Sequence, residues 1–166
     1  MSAHSPVDLH QIRPLISGQT FQEMTPGSTF RTASRTVTES DLVSFTALAG
    51  LNEPLFYDEA ASREAGYGGR LIPGALTFSY AEGLVMQSGV IHGTGMAFLS
   101  ADVKVHAPVL VGDTITVVVE VLEARPTSDG KRGVVTTRNT VVGRDGVAVM
   151  TYEPVRMIRG VATPDN

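Results

Sequence analysis

The chain contains no cysteine. Disulfides, thiolate nucleophiles and cysteine metal sites are therefore excluded outright, and the absence suits a reducing compartment. Long basic runs are also missing, and the formal net charge is -4. That speaks against nucleic acid as a partner, because phosphate binding calls for clustered Lys and Arg. No uninterrupted apolar stretch approaches the ~20 residues that span a bilayer. The opening Met1-Ser2-Ala3-His4-Ser5-Pro6 lacks the basic-then-apolar pattern of a secretory signal. No His or acid cluster has metal-ligand spacing, and no Gly-rich loop follows a strand in a phosphate-cradling pattern. These absences point to a cytoplasmic protein without membrane or nucleic-acid partners, metal or cofactor.

What is present fits one domain. A chain of 166 residues, 42% hydrophobic and 18% charged, can bury a core of its own. Residues 1–27 mix Pro, Gly and polar types without a period and read as an N-terminal arm that wraps the domain or a partner subunit. Residues 28–159 read as the domain, and 160–166 as a frayed tail.

Thr38-Glu39-Ser40-Asp41 reads as a helix start, with the Thr38 hydroxyl accepting from the N–H three residues on and acids suiting the dipole. Leu42, Phe45 and Leu48 follow at helical spacing, and Gly50 suits the position just past the end. A short second helix is expected from an Asp58 cap to Ala65. The next runs from Ala75 to Ser88 behind Pro73-Gly74, with apolar residues on most faces, which predicts a largely buried helix. From Met96 the period changes to two. Strands are expected over Met96–His106, Thr114–Ala124, Gly133–Gly143 and Val147–Ile158. Asp145-Gly146 is a tight hairpin turn. Helices followed by hairpin-linked strands imply an α+β fold with an antiparallel sheet.

Several segments, in order, resemble the MaoC-like dehydratase and (R)-specific enoyl-CoA hydratase family. They are Arg35-Thr36-Val37-Thr38 with its acids, Gly69-Arg70-Leu71-Ile72-Pro73-Gly74, and Ser100 through Ala107-Pro108 to Gly112-Asp113-Thr114-Ile115. The similarity covers about residues 28–158. It implies the hotdog fold, a curved antiparallel sheet wrapped around a long central helix. It also implies reversible hydration of a 2-enoyl thioester carried by CoA or a carrier protein. The family writes Gly-Asp-x-Asn-Pro-(Ile/Leu)-His where this chain has Gly50-Leu51-Asn52-Glu53-Pro54-Leu55-Phe56. Leu51 and Phe56 thus occupy the places of the catalytic Asp and His, and neither can transfer a proton.

The resemblance leaves one catalytic element in place. The N–H of Gly74 or Ala75, at the start of the central helix, is the candidate donor to a thioester oxygen that gains charge. Substitute acid–base residues are sought in Asn52, Glu53, Glu82 and His92, with His106 beside them. Asn52 equally suits a turn cap and Glu53 a solvated loop carboxylate, while Glu82 equally suits a paired helix acid. Phe56, Tyr57 and Tyr67 are candidates to line the acyl or pantetheine channel, and Arg70 and Lys104 to hold phosphate. Three functions follow: a hydratase with a non-standard acid–base set, a thioesterase using Glu82 or Glu53, or a non-catalytic subunit of the same fold. A homodimer, or a multiple of one, with the ligand site between subunits is expected, because pairing relieves open strand edges.

Overall fold

A computed structural model describes residues 8, 12 and 14–161 of the chain. Strand β1 (Thr29–Thr36) opens the domain. Helices α1 (Glu39–Ala49), α2 (Pro54–Tyr57), α3 (Glu59–Glu64) and α4 (Gly74–Gln87) follow. Strands β2 (Gly95–Val105), β3 (Thr114–Pro126), β4 (Arg132–Val142) and β5 (Ala148–Arg159) complete it. The strands form one sheet in the order β1-β3-β4-β5-β2, antiparallel throughout. With α4 packed on its inner face, this is the hotdog arrangement.

The local signals act as read. Thr38 and Asp41 form a reciprocal cap: the Thr38 hydroxyl accepts from the Asp41 N–H, and the Asp41 carboxylate accepts from the Thr38 N–H. Gly50 closes α1 at φ +67, and Asp58 caps α3 through the Ala60 N–H. Ile115, Val117, Val119 and Val121 all face inward from β3. Ile115, Val117 and Val119 join Leu42, Leu76, Leu84, Val85, Val141, Met150 and Tyr152 in the main core between α4 and the sheet.

Three features differ from the expectations. Helix α2, one turn long, was not anticipated. Helix α4 is buried only toward the sheet: Leu76, Thr77, Ala81, Leu84 and Val85 are covered, but Ala75, Ser79 and Met86 are exposed on the opposite stripe. The third concerns the C-terminal end, where the chain meets an N-terminal arm that packs on the domain. Gly18 and Gln19 donate to the carbonyls of His92 and Val90, and Phe21 donates to that of Arg159. Phe21 and Met24 are buried with Val121, Val135 and Ile158 in a second core. Gly160, expected to fray, is buried and bonded to the Lys131 carbonyl; most of the expected tail lies outside the described residues, as does much of 1–17.

Candidate functional site

The lead into α4 is held by a short ladder. Ile72 donates to the Val109 carbonyl at 2.8 Å and Val111 to the Arg70 carbonyl at 3.0 Å. This fixes Pro73, whose φ of -54 and ψ of 137 turn the chain into the helix. The first donors of a helix have no partner of their own. Leu76 and Thr77 reach back to the Pro73 carbonyl, whereas among the described residues no acceptor meets the N–H of Gly74 or Ala75. The first turn of α4 holds no acidic residue, so nothing on the helix itself offsets its positive end.

A cleft of about 340 Å³ opens at this end. Gly74 and Thr77 form its floor, with Leu71 and Tyr67 beside them. Val105 and His106, where β2 ends, form the opposite wall with Val149 of β5. The His106 N–H is anchored to the Val149 carbonyl at 2.9 Å, and Nε2 lies 2.8 Å from the Thr151 hydroxyl. With Nε2 donating to Thr151, Nδ1 is left with its lone pair. A β-carbon on Gly74 would make only an ordinary 3.5 Å contact with Val105.

Of the sequence-derived acid–base candidates the structure brings His106 here and leaves Asn52, Glu53, Glu82 and His92 elsewhere. Asn52 and Glu53 are exposed in the turn between α1 and α2, Glu53 standing at the N-cap of α2. Phe56 packs against the main core, and Tyr57 is exposed. His92 lies in the loop beyond the far end of α4, a helix roughly 20 Å long at 1.5 Å per residue. Glu82 is about 12 Å along the helix from Gly74 by the same rise. Its two carboxylate oxygens accept from Nη2 of Arg156 at 2.6 and 2.7 Å. Arg70 and Lys104 are also committed. Arg70 ties the Phe56 carbonyl to Glu39, and Lys104 pairs with Asp102 on the surface. Gly74 opens α4 and lines the cleft, and Ala75 follows it in the first turn. Tyr67, a candidate channel residue, does line the cleft; Thr77 was missed, although it follows Gly74 by three residues and so shares its face of the helix.

A polar knot surrounds Glu82. Arg156, Thr137, Asn139 and Tyr152 are buried on the inner face of β4 and β5. Thr137 donates to Asn139 Oδ1 at 2.8 Å. Asn139 Nδ2 and the Tyr152 hydroxyl have no hydrogen-bond partner in acceptable geometry. Burial, and then the nearby negative charge of Glu82, push the Tyr152 phenol well above its ordinary range.

The fold agrees with known proteins. The MaoC like domain matches residues 21–143, and the chain belongs to that family. It is 37% identical over 100 residues to Protein MaoC of Klebsiella aerogenes, a match that spans 58% of this chain and 29% of that protein. It superposes on a monoamine oxidase regulatory protein from Archaeoglobus with a TM-score of 0.80 and 30% identity, covering 88% of this chain and 97% of the other. The (R)-hydratase of A. caviae involved in PHA biosynthesis gives a TM-score of 0.66 and 27% identity, over 81% and 97%.

Proposed function

We propose that this chain is a hydratase or dehydratase acting on a 2-enoyl thioester of CoA or a carrier protein, with an acid–base set unlike the family's Asp and His. One observation carries the reading: Gly74, whose N–H is unpartnered at the amino end of α4, lines the same cleft as His106. When water adds to C3 of an enoyl thioester, negative charge moves to the thioester oxygen. Donors already aimed at that oxygen stabilise the transition state without reorganising. His106 takes the water proton through Nδ1 as the oxygen bonds to C3. It then returns that proton to C2, so one imidazole serves as base and acid in turn. The chemistry calls for no metal and no cofactor. A homodimer in the cytoplasm suits the open strand edge and the cysteine-free sequence.

The test is the loss of enoyl absorbance with crotonyl-CoA and longer 2-enoyl-CoAs. Turnover by the wild type, falling on the order of a hundredfold or more in His106→Ala, is the expected result. No turnover at any chain length overturns the reading. Release of free thiol from saturated acyl-CoAs would point to a thioesterase instead, and binding without either reaction to a non-catalytic subunit.

A further inference from the structure

We propose that a groove leading from the cleft at the amino end of α4 to the Glu82–Arg156 pair holds the acyl chain of the substrate, and that this pair selects chains ending in a hydroxyl group. The inference rests on the thioester reading above and narrows its substrate class to ω-hydroxyacyl thioesters of medium length.

The groove lies between α4 and the inner face of β2. Val105 pairs with Met150, Val103 with Tyr152, Ala101 with Pro154 and Phe98 with Arg156. Residues paired in this way share a face of the sheet, and Met150, Tyr152, Pro154 and Arg156 are all buried on the inner one. The inner side chains of β2 are therefore apolar, yet Phe98, Val103 and Val105 are exposed. Ser100, Asp102 and Lys104 fall on the opposite face. Helix α4 supplies the facing wall, where Ala75, Phe78, Glu82 and Met86 recur at helical spacing on one stripe. Gly74 and Val105 line the first cleft together, and the Phe78 and Phe98 rings meet edge-on at 6.4 Å. Glu82 and Met86 line a second cleft, of about 380 Å³, with Met96, Phe98 and Arg156. Strand β2 thus follows α4 from Gly74 to Glu82.

The length of the groove sets the length of the chain. Glu82 stands about 12 Å from Gly74 along the helix. An extended alkyl chain advances about 1.3 Å per bond. With a hydrogen bond at each end, an acyl group of about eight carbons covers that distance. Its thioester oxygen accepts from the Gly74 N–H, and its far end reaches Glu82.

The ion pair decides what that end is. The Arg156 and Glu82 side chains are only 8% and 17% exposed, and charges buried this deeply add little stability, since desolvation cancels much of their attraction. A methyl end laid over the pair would strip its remaining water and return no hydrogen bond. A carboxylate end would stand against the charge of Glu82. A hydroxyl end satisfies both partners. Its O–H donates to Glu82, whose oxygens keep lone pairs beyond the two that accept from Nη2 of Arg156. Its oxygen accepts from Nη1 of Arg156, which meets no acceptor among the described residues. The Tyr152 hydroxyl, buried beside Glu82 without a partner, adds one more polar group to this end of an otherwise apolar groove.

Substrate choice tests this. Wild-type kcat/KM for ω-hydroxy-2-octenoyl-CoA is expected to exceed that for 2-octenoyl-CoA and for 2-octenedioyl-CoA by on the order of tenfold or more, the scale of one hydrogen bond to a charged group. Glu82→Met with Arg156→Met makes the end of the groove apolar and should invert the preference between the hydroxyl and alkyl substrates. If wild type turns these over without favouring the hydroxyl, or the double variant keeps the preference, the proposal is refuted while the thioester reading stands. Should the double variant not fold, Ala101→Phe, which narrows the groove from the inner face of β2, takes its place. Turnover of ω-hydroxy-2-octenoyl-CoA should then fall on the order of tenfold relative to that of crotonyl-CoA, and an unchanged ratio overturns the groove. If no enoyl thioester is turned over, the hydratase reading falls and calorimetry decides. Wild type should bind ω-hydroxyoctanoyl-CoA on the order of tenfold more tightly than octanoyl-CoA; equal affinities, or no binding of either, overturn the proposal.

Discussion

The guanidinium carbon of Arg35 lies 3.8 Å from the centre of the Tyr80 ring, and the same arginine reaches Asp41 at 3.2 Å. The contact joins β1, α1 and α4 in one cluster. Within the cluster both Asp41 and Tyr80 are shifted from their ordinary values. Asp41 is held down at about 2, first by the Tyr80 hydroxyl, then by the Thr38 N–H, with Arg35 adding a smaller pull. Tyr80 is pushed up to about 12, by burial first and the Asp41 hydrogen bond second.

These shifts fix two limbs of the stability profile. Asp41 is depressed when folded, so its contribution is full above its ordinary value of 3.8 and is lost as pH falls toward 2. Tyr80 is raised, so its contribution is full below 10 and is lost as pH climbs toward 12. Tyr80→Phe should flatten the alkaline limb, shrink the acid one and cost about 1 kcal/mol at neutral pH. Urea denaturation across both ranges measures it, and an unchanged acid limb would show that Tyr80 does not control Asp41.

Glu82 and Arg156 should behave as a unit in stability. Glu82→Ala strands a buried cation and is expected to cost about 3–5 kcal/mol, whereas Glu82→Met with Arg156→Met should be near neutral. Chemical denaturation of the two variants decides. Equal losses would mean that the polar atoms, rather than charge balance, hold this part of the core.

At the head of α4, Gly74→Pro and Gly74→Ala separate the donor from the space around it. Proline is favoured at the first helical position, and the extended backbone of Pro73 suits a following proline. The fold should survive while the N–H is deleted, lowering enoyl-thioester turnover by about 10²–10³. Alanine keeps the N–H and makes only a 3.5 Å contact with Val105, so it should lose far less. Similar losses in both would assign the effect to crowding.

Gly133→Ala tests the seat of the N-terminal segment. Its new β-carbon would come 2.2 Å from Cγ of Phe21. A loss of roughly 1–3 kcal/mol follows from such overpacking. Faster proteolytic cleavage before residue 28 should accompany it, and wild-type resistance would show that Phe21 yields at little cost.

Much of this architecture was legible where one residue type has one physical use. Thr38, Gly50 and Asp58 marked helix ends, and the alternation of Ile115, Val117, Val119 and Val121 marked a half-buried strand. Strand β1 was weak because Thr29–Thr36 is exposed along most of its length, with only Thr32 buried; pairing with β3, not pattern, makes it a strand. Gly74 was legible through its Pro73 neighbour. The cleft was not, since Tyr67, Thr77, His106 and Val149 converge from separate elements. The Arg156 partnership with Glu82 spans 74 positions, beyond any local pattern. One sign was available: the inward series Tyr152, Pro154, Arg156, Ile158 puts a cation where a hydrophobic side chain belongs.

Two absent side chains, at Gly133 on β4 and Gly160 just after β5, make a single socket into which the Phe21 ring fits. A shortened chain starting at Ser28 would leave that socket vacant and uncover Val121, Val135 and Ile158 beneath it. Phe21 acts as a keystone supplied from outside the strands it locks, so the smallest unit able to stand alone begins well before the first strand.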